Sequence, residues 1–170
     1  QFIPPATLLV NQNGSFESLE LPNLELGPGS FVKELIPGDI NQDGHIDLYG
    51  VSSGRDELSP DNRADFLLWG QGGGMFDAHE ILGPPELSGR LGFDGQLFDW
   101  QGDGDLDAYV VNDKGSEFGG NVLWANDSGT LRHEDSACFC DITHDGMGVD
   151  VGDFDRNGIA DLLLVGATKI

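Results

Sequence analysis

The sequence predicts an all-β chain in which one four-stranded antiparallel sheet is written about three times over. Two observations carry that prediction. A nine-residue acidic motif occurs three times, and each copy runs into a short apolar stretch. A hairpin signal precedes each copy at a nearly constant distance: 30 residues from Leu9 to Asp39, 31 from Leu68 to Asp99 and 30 from Leu123 to Asp153. Composition agrees. Glycine supplies 26 of 170 residues, roughly twice the usual share, and no long stretch repeats with the helical period.

The clearest copy of the motif is Asp153-Phe154-Asp155-Arg156-Asn157-Gly158-Ile159-Ala160-Asp161. Oxygen-bearing side chains stand at positions 1, 3, 5 and 9, with glycine at position 6. Asp39, Asn41, Asp43, Gly44 and Asp47 repeat it, with His45 at position 7. Asp99, Gln101, Asp103, Gly104 and Asp107 repeat it again, with Asp105 at position 7. Oxygens on alternate residues wrap a hard cation such as Ca²⁺, which takes six to eight of them, and glycine at position 6 permits the sharp turn. The main-chain carbonyl of position 7 (His45, Asp105 or Ile159) would add another oxygen. Asp-Asn-Gly clusters are also ordinary turn chemistry, but three copies at one spacing point to metal, and up to three Ca²⁺ are expected. The loops are not EF-hands. Position 12 is Gly50, Val110 or Leu164, where an EF-hand needs a bidentate Glu.

Each loop has a strand entering it (31–38, 91–98 and 146–152) and a strand leaving it (46–51, 106–111 and 159–165). The leaving runs are short, rich in Val, Leu and Tyr, and bounded by Gly and Asp, which favours strand over helix. A strand at 6–10, an Asn13-Gly14 turn and a return strand make a hairpin, repeated at 66–76 and 121–131. Matching by residue type aligns Leu9, Leu68 and Leu123, and therefore Trp69 with Trp124; repeated placement makes both tryptophans core, with Trp100 the better candidate for an exposed aromatic. The loop-to-loop steps are 60 and 54 residues, a period that signals a propeller or a solenoid. Four antiparallel strands per repeat make one propeller blade. The predicted organisation is one β-propeller domain: half-blade 1–30, blade 31–82, blade 90–135 and half-blade 141–170. The polar stretch 52–63 reads as a surface loop without a repeat counterpart.

The two halves are complementary, and an exposed edge at 162–165 is a pairing template. They join in cis, closing three blades where four to eight are usual, or in trans. Joining in trans makes the chain a homo-oligomer, either a closed ring or an open filament. A third alternative is that the chain is a piece of a longer propeller.

The net charge of −22 argues against nucleic acid and anionic membranes as partners. Three bound Ca²⁺ would bring it to about −16. Without metal the clustered aspartates repel, so folding and metal binding should be coupled. No apolar run is long enough to span a membrane, and no signal-peptide pattern opens the sequence. Two sequons, Asn13-Gly14-Ser15 and Asn126-Asp127-Ser128, fall near predicted hairpin tips and make Asn13 and Asn126 candidate glycosylation sites. With Ca²⁺ loops of this kind they point to a secreted, extracellular protein.

The loops, the strands Asp47-Leu48-Tyr49 and Asp161-Leu162-Leu163 that follow them, and the hairpins Leu68-Trp69 and Leu123-Trp124 resemble FG-GAP/VCBS repeats. These are the units of integrin-α-like β-propellers and of extracellular proteins similar to cartilage acidic protein. The run Gly148-Val149-Asp150-Val151-Gly152-Asp153-Phe154-Asp155 is especially close, and the resemblance covers nearly the whole chain. It implies that the loop aspartates bind Ca²⁺ and stabilise each blade. Gln101 departs from the Asp or Asn usual at position 3, which would weaken the middle site. No Arg-Gly-Asp triplet is present.

Cys138 and Cys140 are two residues apart. They form a strained mutual bridge, stand as two small buried residues, bridge to a neighbouring chain, or join His133 and His144 in a loose zinc site. No nucleophile–base pairing stands out and the carboxylates are committed to the loops, so an enzyme is not expected. The expected function is a structural or adhesive Ca²⁺-binding module that self-assembles; the alternative is a monomeric propeller that binds carbohydrate or protein.

Overall fold

In the computed structural model, residues 7–20, 32–53, 64–77, 80–83, 87, 89–135 and 145–167 are described. They build twelve strands and one short helix. Two sheets have four antiparallel strands. One is β3 (Val32–Gly38), β4 (Asp47–Ser52), β5 (Phe66–Leu68) and β6 (Glu80–Ile81); the other is β7 (Leu91–Phe98), β8 (Asp107–Asp113), β9 (Val122–Asp127) and β10 (Thr130–His133). Two further sheets have two strands each: β1 (Thr7–Gln12) with β2 (Ser15–Glu20), and β11 (Asp145–Gly152) with β12 (Asp161–Ala167). The helix α1 (Gly115–Phe118) is a single turn between β8 and β9. The chain is therefore all-β, with strands paired in the order of the sequence. No sheet closes on itself, and among the described residues β1–β2 is not joined to β12.

The first strands of successive sheets pack side by side, β3 against β7 and β7 against β11. Each carries a bulge at the same place, between Val32 and Glu34, Gly92 and Asp94, and Gly146 and Gly148. The extra residue of a bulge is turned out of the ladder, and Lys33, Phe93 and Met147 are accordingly exposed. Close approach of β7 to β4 in the sheet before demands glycine. A Cβ on Gly92 would lie 2.7 Å from the Ser52 carbonyl oxygen and from Val51 Cγ1.

Two apolar clusters fill the spaces between sheets. Successive residues of a strand face opposite ways, so β8 feeds both: Ala108 and Val110 join Tyr49, Val51, Leu67 and Trp124 in one cluster, while Tyr109 and Val111 join Leu123 and Val149 in the other. Strand β8 is covered on both faces, whereas β12 is not. Leu162 and Leu164 pack on the second cluster, and Leu163 and Val165 face outward.

Ladder register corrects the alignment of the hairpins. Leu48 pairs with Leu68, and Ala108 with Trp124. Trp124 therefore corresponds to Leu68, and Trp69 to Ala125. The similar Leu-Trp dipeptides align by residue type one step out of register, because turn length between β4 and β5 differs from that between β8 and β9. Trp124 is core; Trp69 is half-buried, its Nε1 donating to Glu80 Oε2 at 3.1 Å. Trp100 is also half-buried, against the second cluster, and does not present an open aromatic face.

Candidate metal loops

All three acidic loops link the first strand of a sheet to its second, and their backbones are alike. Positions 4 and 6 take positive φ in each: Gln42 at 59° and Gly44 at 88°, Gly102 at 75° and Gly104 at 93°, Arg156 at 63° and Gly158 at 85°. Spacing identified position 6 as a turn; position 4 was missed because only the middle loop has glycine there.

The same hydrogen bonds hold each turn. The position 1 carboxylate accepts from the amides of positions 5 and 6: Asp39 from Asp43 and Gly44, Asp99 from Asp103 and Gly104, Asp153 from Asn157 and Gly158, all at 2.9–3.0 Å. The position 5 side chain accepts from the amide of position 7: Asp43 from His45, Asp103 from Asp105 and Asn157 from Ile159. That bond holds the exposed Asp43 carboxyl below its usual range. Position 3 joins in, Asn41 Oδ1 accepting from the Asp43 amide and Asp155 Oδ1 from the Asn157 amide.

Position 9 has a second task that the motif does not announce. Asp47 Oδ2 accepts from Ile40 N at 2.9 Å, and its Oδ1 accepts from Gly70 N at 2.7 Å. Asp107 repeats this with Trp100 N at 2.7 Å and Asn126 N at 2.8 Å. Both aspartates are fully buried. Each therefore ties its own loop to the far end of the third strand of its sheet, at Gly70 two residues past β5 and at Asn126 within β9. Burial pushes the Asp107 carboxyl up, against the pull of the two amide donors. A carboxylate oxygen keeps a second lone pair after accepting one N–H, so these bonds are compatible with metal ligation.

In the third loop, Asp153, Asp155 and Asp161 bring carboxylate oxygens within 4.8 Å of one another. This donor set is hard and anionic, as Ca²⁺ requires. Positions 1, 3 and 9 are the convergent ones. The first and second loops carry Asn41 and Gln101 at position 3, so an amide stands there in place of the third carboxylate.

The side chains at position 7 serve other ends, leaving the main-chain carbonyl as the donor there. Asp105 accepts from Gln42 Nε2 at 2.6 Å and from Ser128 N at 2.9 Å, joining the first loop to the second and to the β9–β10 turn. His45 lies over the β5–β6 turn, its ring 3.1 Å from where a Cβ on Gly72 would stand. Ile159 is exposed.

The two sequons fare differently. Asn13 lies at the exposed tip of the β1–β2 turn with φ of 53°. Asn126 is buried, and its Nδ2, the atom a glycan would take, donates to Ile40 O at 2.8 Å and Leu106 O at 3.1 Å. A glycan on Asn126 would replace both bonds inside a packed junction. Cys138, Cys140 and His144 lie outside the described residues. The His133 ring lies 5.6 Å from that of Trp124, tilted by 59°, and its Nδ1 lies 3.2 Å from Asp135 Oδ1.

A polar pair outside the loops also recurs. Tyr49 OH donates to Asp65 Oδ2 at 2.8 Å and Ser52 N donates to Asp65 Oδ1 at 2.9 Å. In the next sheet Asn121 accepts from Asn112 N at 3.0 Å and lies 3.2 Å from Tyr109 OH. The polar stretch ahead of β5 therefore ends in a residue with a repeat counterpart. Burial pushes the Asp65 carboxyl up to about 6.

Residues 99–164, from the second loop through the third to β12, match the family model of the FG-GAP-like repeat. The match agrees with the resemblance that the motifs carry in this stretch. No curated protein matches the chain at a significant level. Among the described residues, no helix is long and apolar enough to cross a membrane.

Proposed function

We propose that the protein is an extracellular Ca²⁺-binding β-propeller module with a structural or adhesive role, and that copies of it self-assemble into a ring or filament. The convergence of Asp153, Asp155 and Asp161 carries this reading. Three carboxylates held that close repel one another, and a divalent cation between them removes the repulsion. When bound, Ca²⁺ supplies charge neutralisation and a crosslink within the turn. The chain's own part is to hold the turn open through the amide bonds to Asp153 and to anchor Asp161 on Phe154 N at 2.9 Å. Because each loop joins two strands, and the first also bonds the second through Gln42 and Asp105, ion binding sets how those sheets stand beside one another. The FG-GAP-like repeat supports a propeller of the integrin-like type, and so do the matching four-stranded sheets packed by their first strands. The exposed sequon at Asn13 supports an extracellular location.

Thermal melts with Ca²⁺ and with chelator, together with calorimetric titration of Ca²⁺, test the metal reading. A site filled at a hundred times its dissociation constant adds about 2.7 kcal/mol, so chelation should lower the midpoint by several degrees. Asp155→Ala should remove one ion from the stoichiometry. An unchanged midpoint together with no heat of Ca²⁺ binding would refute it.

A further inference from the structure

We propose that the first and second acidic loops bind their ions as a coupled pair, that Gln42 is the positioning residue that couples them, and that the third loop acts alone. The inference rests on the metal reading above and adds to it how those sites regulate one another.

Gln42 is position 4 of the first loop, a place that supplies no ion ligand. Its side chain leaves that loop and reaches the second. The amide nitrogen carries two N–H groups, enough for Gly104 O at 3.0 Å and Asp105 Oδ1 at 2.6 Å. The second bond ends on a carboxylate and is charge-assisted, which makes it the stronger kind.

Each end of this bridge is tied to expected metal donors. On the first loop, the amide that follows Gln42, that of Asp43, donates to Asp39 Oδ1 and to Asn41 Oδ1, both at 3.0 Å. On the second loop, the peptide between Gly104 and Asp105 takes Gln42 on its carbonyl and gives its N–H to Asp103 Oδ1 at 3.0 Å. Asp39, Asn41 and Asp103 stand at positions 1, 3 and 5. Donors of one loop are thus connected to a donor of the other through a single side chain.

A second contact runs beside the first. Asp105 also accepts from Ser128 N at 2.9 Å. The next residue, Gly129, lies against the first loop: a Cβ there would be 2.9 Å from Asn41 Cβ. The Asp105 carboxylate therefore stands at the junction of the two loops, where its charge offsets the repulsion between two bound cations.

Coupling follows from what order in one loop does to the other. Without an ion the carboxylates of a loop repel and loosen the turn; with one the turn is fixed. Fixing the first loop fixes Gln42, which leaves less of the second loop to be ordered when its own ion binds. Linkage makes the effect equal in both directions. The third loop has neither half of the bridge. Position 4 of the second loop is Gly102, with no side chain to extend, and position 7 of the third is the exposed Ile159, with no carboxylate to receive one.

Amide NMR during Ca²⁺ titration of chelator-stripped protein tests this. Gly44, Gly104 and Gly158 each donate to the position 1 carboxylate of their own loop, so their signals report the three loops separately. In wild type, Gly44 and Gly104 should move over one concentration range, more steeply than a single-site curve, and Gly158 should follow its own single-site curve. Gln42→Gly keeps the left-handed backbone that Gly102 adopts at the same position and removes only the bridge. In that variant Gly44 and Gly104 should follow single-site curves, with the Gly104 midpoint about tenfold higher. Asp39→Ala, which disables the first loop, should weaken the second about tenfold and have no further effect in the Gln42→Gly background. Arg156→Gly, the same change in the third loop, should leave the Gly44 and Gly104 curves where they were. A bridge that was merely structural would lower stability and leave the steepness unchanged. Single-site curves in wild type, or steepness that survives Gln42→Gly, would overturn the coupling and leave the metal reading standing. If none of the three signals moved in millimolar Ca²⁺, the metal reading would fall, and the coupling with it.

Discussion

Replacing Asn126 by alanine tests the junction on which the repeat depends. The side chain is buried and makes three bonds, to Ile40 O, Leu106 O and Gly129 N. Each is worth about 0.5–1.5 kcal/mol net, and a buried group left without its partner costs about 1–3 kcal/mol. Ile40 is fully buried, so its carbonyl has no ready access to replacement water. The expected loss is about 2–4 kcal/mol, or a fall in melting midpoint of about 5–15 °C for a domain of this size. Asn11→Ala is the matched control, since it loses the same turn bond at an exposed site and should cost about 1 kcal/mol or less. Urea titrations in saturating Ca²⁺, read by tryptophan fluorescence, measure both. If Asn126→Ala cost no more than Asn11→Ala in the monomer, the bonds from Asn126 would not be what joins the loops. The same crowding predicts that mass spectrometry of secreted protein finds glycan on Asn13 and none on Asn126.

Other expectations follow from the inner strands. Burial, then the hydrogen bond and charge of Asp94, push the Glu34 carboxyl up to about 7. An unfolded glutamate releases its proton near 4.5, so between those values the folded chain binds more protons and stability falls as pH rises. Glu34→Gln should flatten that slope between about pH 5 and 7; part will remain, because Asp65 acts in the same direction up to about 6. An identical slope in the variant would show that the Glu34–Asp94 contact is not its source. Gly92→Ala places a methyl 2.7 Å from the Ser52 carbonyl oxygen, and should cost about 1–3 kcal/mol by forcing the first and second sheets apart. Denaturation at the wild-type midpoint would mean that these strands are not held that close.

Much of this was legible in the residues because it is local. The loops announce themselves through oxygens at fixed spacing and a glycine that suits a left-handed backbone, and the strands leaving them are short continuous apolar runs. Position 4 was silent, since Gln42 and Arg156 take positive φ without a residue type that advertises it. The role of Asp47 and Asp107 as clamps was silent too. Their partners lie 23 and 19 residues on, across a turn of variable length, and that same variability set Trp69 and Trp124 one step out of register.

The chemistry of each bend, the all-β class and the periodic order of strands are properties of short stretches, written where short-range sterics and side-chain type suffice. Which asparagine is buried as a clasp and which stays open at a sheet's edge is not. Asn11 and Asn126 sit in nearly the same local sequence and make the same turn bond. They differ because one hairpin has a neighbouring strand and an adjoining loop to donate to, and burial of a polar group depends on the partners that packing brings to it.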